Sequence, residues 1–151
     1  MTAPRSLGPG EAPLPLFEIV HTARLADRAF TAAFAQHGLA AGQFGVLASV
    51  NDAPGITQAQ IARRLNVRPQ SVARPVDQLI HDGLICSDAP VGQGGATPLH
   101  ITETGRDRLD QAWPTVITIN HPDALGLGDA DIQTLIHLLT TIRTHLEQRP
   151  L

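Results

Sequence analysis

From Leu16 onward the apolar positions fall into a helical rhythm. Leu16, Val20, Ala23, Phe30 and Phe34 share one face. Gly38 closes this first helix, as a glycine just past the last turn commonly does. Residues 41–50 form a second helix that buries Phe44, Leu47 and Val50, and 51–55 (Asn-Asp-Ala-Pro-Gly) is a turn. Thr57 with Gln60 three residues on is a capping box opening a third helix, 58–65. After a break at Asn66 and Val67, Pro69 suits the first position of a fourth helix, which runs to about Asp82 before Gly83. Residues 84–86 are a short strand, the Pro- and Gly-rich 89–98 a loop, and 99–101 the returning strand. Thr102 caps a fifth helix, 103 to about 120, carrying Leu109, Trp113, Val116 and Ile117. Residues 121–128 break the pattern. A sixth helix, 131 to about 148, has Ile132, Leu135, Ile136, Leu139, Ile142 and Leu146 on one side. Ahead of all this, Pro4, Pro9, Pro13 and Pro15 make 1–15 a flexible tail. There is no internal repeat.

This order implies a mainly α fold with a small two- or three-stranded β-wing. Residues 41–102 are the unit of a winged helix-turn-helix. The flanking helices, 16–37 and 103–148, are too apolar for water and too far apart in sequence to make a second core alone. Pairing with a second copy would bury them, so the expected form is a symmetric homodimer.

Composition narrows the functional classes. The chain has 151 residues, 42% hydrophobic and 17% charged, enough apolar material for a core. No apolar run approaches the roughly 18 residues of a membrane span, and the start does not read as a secretory signal. One cysteine makes no internal disulfide, which fits a reducing cytoplasm. Aromatic residues are only 3%, too few for a platform that stacks single-stranded bases. The net charge of −3 argues against a protein that coats nucleic acid, but not against one with a local basic patch.

The fourth helix supplies that patch. At 100° per residue, Val72, Val76, Leu79 and Ile80 cluster on the core side. Gln70, Arg74, Asp77 and His81 lie opposite, with Ser71 and Gln78 beside them. An arginine can fork onto guanine, a glutamine onto adenine, and a serine onto base or phosphate. Arg63, Arg64, Arg68 and Arg74 lie within twelve residues with no acid among them, a cluster that attracts phosphate. An ordinary amphipathic helix with a solvated arginine cluster is the competing description. The preceding helix, the short turn and the following hairpin weigh against it.

Three segments, LAAGQFGVLASV, GITQAQIARRLNVRPQSVARPVDQLIHDGLI and LHITETGRDRL, together resemble the multiple antibiotic resistance regulator (MarR) family. The resemblance covers about residues 16–148. It implies a winged-helix dimer on pseudo-palindromic operator DNA, usually a repressor released by a small ligand or an oxidant. By position it implies a recognition helix over 68–78, with Pro69, Gln70, Ser71 and Arg74 facing the groove. Thr57 and Gln58 would sit near the DNA backbone. Two features depart from the family. Its wing usually carries an Asp-x-Arg, whereas no arginine lies between Arg74 and Arg106 here. Pro75 stands where an aliphatic residue is usual and would remove a helical hydrogen bond, so a kink or an irregular first turn is expected.

The family's ligand cleft would be lined here by Phe17, His21 and Arg24, by Phe44 and Leu47, and by Trp113. That set suits an aromatic or amphipathic acid. The competing description, that Phe17, Phe44 and Trp113 are simply core, is the stronger for any one of them. Cys86 is expected on a half-buried strand without a basic neighbour in sequence, a structural cysteine more than a redox sensor. The seven histidines are scattered, with no i, i+4 pair and no Cys-x-x-Cys, so no metal site and no cofactor is expected. There is no nucleophile elbow, phosphate-cradling loop or recognisable carboxylate pair, so no enzyme is expected. The leading expectation is a homodimeric, sequence-specific DNA-binding regulator, a ligand-released repressor. Its rival is a winged-helix dimer that has lost DNA binding and serves as a protein-interaction or small-molecule-binding module. A hydrolase, the third reading, would have to show turnover.

Overall fold

A computed structural model describes residues 14–90 and 96–149. The order is α1 (Pro15–Ala35), α2 (Ala41–Asp52), α3 (Gln58–Leu65), α4 (Pro69–His81), β1 (Ile85–Ser87), β2 (Leu99–Ile101), α5 (Glu103–Ile119), α6 (Pro122–Leu125) and α7 (Asp129–Glu147). The expected tail lies outside the described residues except for Leu14 and Pro15, and Pro15 is the first residue of α1. The expected loop, 89–98, includes 91–95, which also lie outside them.

Local chemistry sets the boundaries. Thr57 Oγ1 accepts the Gln60 backbone N–H (3.3 Å), while Gln60 Oε1 accepts the Thr57 N–H (2.9 Å). Asn66 ends α3 in the left-handed region at φ 52°, which asparagine tolerates better than most residues. Gly38 and Gly83 take φ 65° and 72° after α1 and α4. Thr102 Oγ1 accepts the Gly105 N–H at 3.0 Å to start α5. A Cβ at Gly105 would run into the Leu84 carbonyl, so only glycine lets α5 leave the hairpin this closely.

The core sits in the middle of the chain. Val46, Leu47, Val50, Ile61, Val72, Val76, Leu79, Leu84, Ile85 and Leu99 are buried together, with Phe34, Leu109 and Ala112 closing it from the flanking helices. The hairpin is antiparallel, pairing Ile85 with Ile101, Cys86 with His100 and Ser87 with Leu99. Beyond these two strands, Ile56 contributes a single bridge to Leu99.

Several expectations need correcting. β1 is 85–87, one residue later than expected, because Leu84 N–H is still held by the Leu79 carbonyl (2.9 Å) at the end of α4. The 121–128 break contains the one-turn helix α6, and the last helix starts at Asp129. The helix α4 runs on through Pro75 to His81 without interruption. Proline costs one hydrogen bond, but Val72, Val76 and Leu79 on the buried face hold the helix across it. Cys86 is exposed, since Ile85 takes the inward side of the strand. Leu16 and Val20, expected on the buried face of α1, are about half exposed, and α7 buries no residue. Among the described residues no helix is long and apolar enough to cross a membrane.

Candidate nucleic-acid interface

α3, the tight turn at Asn66–Arg68 and α4 make the helix-turn-helix. Val67 N–H donates to Ala62 O (3.0 Å), which folds the turn back onto α3. Arg68 is extended at the N-cap of α4 and Pro69 occupies its first turn. Val72, Val76 and Leu79 lock one side of α4 into the core. The opposite side, Gln70, Ser71, Arg74, Asp77, Gln78 and His81, is exposed. Gln70, Arg74 and Gln78, spaced i, i+4 and i+8, form one strip along the helix.

The basic residues divide into two groups. Arg63, Arg68 and Arg74 are exposed and, among the described residues, have no carboxylate within ion-pair distance. Arg64 instead bonds Asp52 at 2.6 Å. Sequence spacing around the cluster missed this pair, because Asp52 comes from the last residue of α2, twelve positions earlier. Thr57 and Gln58 are half-buried at the start of α3, and the Thr57 hydroxyl is occupied in the capping box. Below the tip of the wing, His100 Nε2 lies 3.3 Å from Asp88 Oδ2, and Cys86 sits opposite His100 across the strands.

Gln43 was not anticipated as a functional residue. It is buried on α2, its Oε1 accepts the Ala40 N–H (2.8 Å), and its Nε2 reaches Gln78 Oε1 at 3.4 Å. Helical projection placed Gln78 beside the outward face of α4, but nothing local marked its partner.

The residues expected to line one ligand cleft do not come together within the chain. Leu47 is fully buried core and offers no surface to a ligand. Phe44 stacks on Phe34 (4.3 Å between ring centroids) and on Trp113 (6.1 Å), and Phe34 on Phe30 (5.7 Å). Phe17 lies seventeen residues before Phe34 on the same helix, about 25 Å along its axis. His21 and Arg24 are exposed on the same helix, thirteen and ten residues before Phe34. A separate cleft of about 430 Å³ opens between Ile19, Asn66 and the α7 residues Leu139, Ile142, Arg143, Leu146 and Glu147.

Comparison with known proteins points in one direction. The model of the MarR family matches residues 37–93, the helix-turn-helix and the first strand of the wing. A Thauera aromatica protein named for transcriptional regulation of the hcr operon is 28% identical over 113 residues, 75% of this chain and 68% of its own. Over these residues the chain is similar to the MarR family. The relatives it matches are named as transcriptional regulators. An HTH-type transcriptional repressor of Mycobacterium tuberculosis is 30% identical over 86 residues, 57% of this chain and 62% of its own. MarR structures share the fold. A mutant MarR from E. coli complexed with operator DNA superposes with a TM-score of 0.72 at 23% identity, covering 85% of this chain and 94% of that one. A Staphylococcus aureus MarR in complex with salicylate and kanamycin gives 0.75 at 14% identity, covering 89% and 91%.

Proposed function

We propose that this chain is a MarR-family repressor that binds operator DNA as a homodimer and is released by a small aromatic or amphipathic acid. The observation that carries the reading is the two-sided build of α4. One side is fixed in the core and the other presents Gln70, Ser71 and Arg74 to solvent. These three side chains read base edges in the major groove, led by the N-terminal turns of the helix. Arg63 and Arg68 hold phosphates. Arg64 contributes less, because Asp52 already neutralises it. Pro69 sets the entry of α4 into the groove, and Thr57 and Gln58 bring the N-terminal N–H groups of α3 to the DNA backbone. The operator complex of the E. coli relative supports the assignment by fold.

A second copy is the natural cover for the flanking helices. Leu16, Phe17 and Val20 on α1 and Leu135, Ile136, Leu138, Leu139 and Leu146 on α7 all face solvent in the single chain. We therefore assign 16–37 and 103–148 to dimerisation and 41–102 to DNA binding. The salicylate complex of the S. aureus relative supports an aromatic acid as effector. The half-exposed Trp113 ring against Phe44 is where such a ring would stack. The place of action is the cytoplasm.

The test is fluorescence anisotropy with duplex DNA from upstream of the protein's own gene, beside an unrelated duplex, at two salt concentrations. A DNA-binding regulator shows selective binding that weakens with salt, with a log–log slope of about −0.9 per phosphate contact. The arginine-free wing favours the second reading, an interaction module without DNA. Equal, weak binding to both duplexes would support that module and reject the repressor.

A further inference from the structure

We propose that Gln43, buried on α2, is a positioning residue that fixes the side-chain amide of Gln78 so that α4 offers DNA a donor and not an acceptor at that point. The inference rests on the DNA-binding reading of α4. Its starting point is chemical. The Ala40 backbone N–H can only donate, so the Gln43 atom 2.8 Å away must be the carbonyl oxygen Oε1. That places the Gln43 NH2 on the side of Gln78, and the atom it meets at 3.4 Å must then be an acceptor, Gln78 Oε1. The orientation passes from backbone to Gln43 to Gln78 with no free choice of amide flip.

A free glutamine on a recognition helix is ambivalent, since either end of its amide can turn outward. With its oxygen turned inward, Gln78 exposes its NH2. It lies one turn beyond Arg74 on the strip that begins at Gln70, so the donor follows the arginine along the same side of the helix. Donors suit phosphate oxygens and the acceptor edges of purines, whereas an outward carbonyl would repel phosphate. At 3.4 Å the contact is long, so it sets direction more than it adds stability. Gln43 is well placed for this, because packing between α2 and α4 leaves it buried while Gln78 stays exposed.

The test is a double-mutant cycle on the full chain, read by anisotropy on a duplex selected from a random library with the wild-type protein. Gln43→Glu keeps the acceptor for Ala40 but cannot donate to Gln78, so the Gln78 amide turns over. Gln43→Met removes both bonds without adding charge. Each is expected to weaken DNA binding about fivefold, the scale of one neutral hydrogen bond, as is Gln78→Ala. In the Gln78→Ala background neither change at position 43 should weaken binding further. Losses that persist undiminished in that background would overturn the proposal, since position 43 would then act through charge or packing. Thermal melting of each variant, with binding read well below its midpoint, separates positioning from folding. Failure of the wild-type protein to select any duplex would instead reject the DNA-binding reading itself.

Discussion

The winged helix and the C-terminal helix carry comparable runs of apolar residues and treat them in opposite ways. In α4, which packs against α2, α3 and β1, Val72, Val76 and Leu79 are all but inaccessible. In α7, nineteen residues long, Leu135, Ile136, Leu138, Leu139 and Leu146 are all exposed and nothing is buried. Both helices are amphipathic by pattern. The difference is that α4 finds its complement within the chain, and α7 finds none among the described residues. Hydrophobic periodicity says that a face will be covered, but not by which chain. The contrast also separates the two roles. The self-sufficient region holds a rigid surface of Gln70, Ser71 and Arg74, while the unsatisfied region is suited to holding two such surfaces at a fixed distance.

The comparison can be broken from either side, and the largest effect is expected on α7. Leu139→Glu would put a carboxylate into the proposed interface, where burial without a partner costs several kcal/mol. Sedimentation velocity should show a dimer becoming a monomer, while circular dichroism retains the helical signal. A variant that remains dimeric would show that α7 is not the interface. On the other side, Leu79→Ala should lower unfolding free energy by roughly 2–5 kcal/mol, as a fully buried leucine does. Denaturant melting measures it, and a loss below about 1 kcal/mol would mean that α4 is held less firmly than its burial indicates.

Two smaller effects sharpen the picture of the reading surface. Arg74→Ala should cost roughly 1–3 kcal/mol of specific DNA affinity with little change in stability. Wild-type affinity in that variant would remove the base-reading role. Between neighbours, Arg63→Ala should weaken DNA binding at least as much as Arg64→Ala, although Arg64 loses an ion pair. That exposed pair with Asp52 is worth at most about 1 kcal/mol to folding. A larger binding loss at Arg64 would mean that DNA draws it away from Asp52.

Most of the winged helix was legible in the sequence because its signals are local. The Thr57–Gln60 box, the Asn66 break, Pro69 and the Thr102 cap are each decided within a few residues, and the structure has α3 and β2 at the expected limits. What was not legible depends on elements distant in sequence. Asp52 reaches Arg64 and Gln43 reaches Gln78 only after α2 packs beside α3 and α4. Pro75 looked like a disruption because propensity weighs one hydrogen bond and not the packing of three buried neighbours. The ligand set is divided within one chain for a related reason. Phe17 sits near the start of α1, whereas Phe44, on α2, packs against Phe34 near the other end of α1.

The central claim is that α7 and α1 join two chains so that two copies of α4 read DNA together. Selection from a random-sequence duplex library tests it most directly. The account predicts enrichment of an inverted repeat whose half-sites are centred about 34 Å apart, one turn of the double helix. Enrichment of a single unrepeated site, or of none, would contradict it.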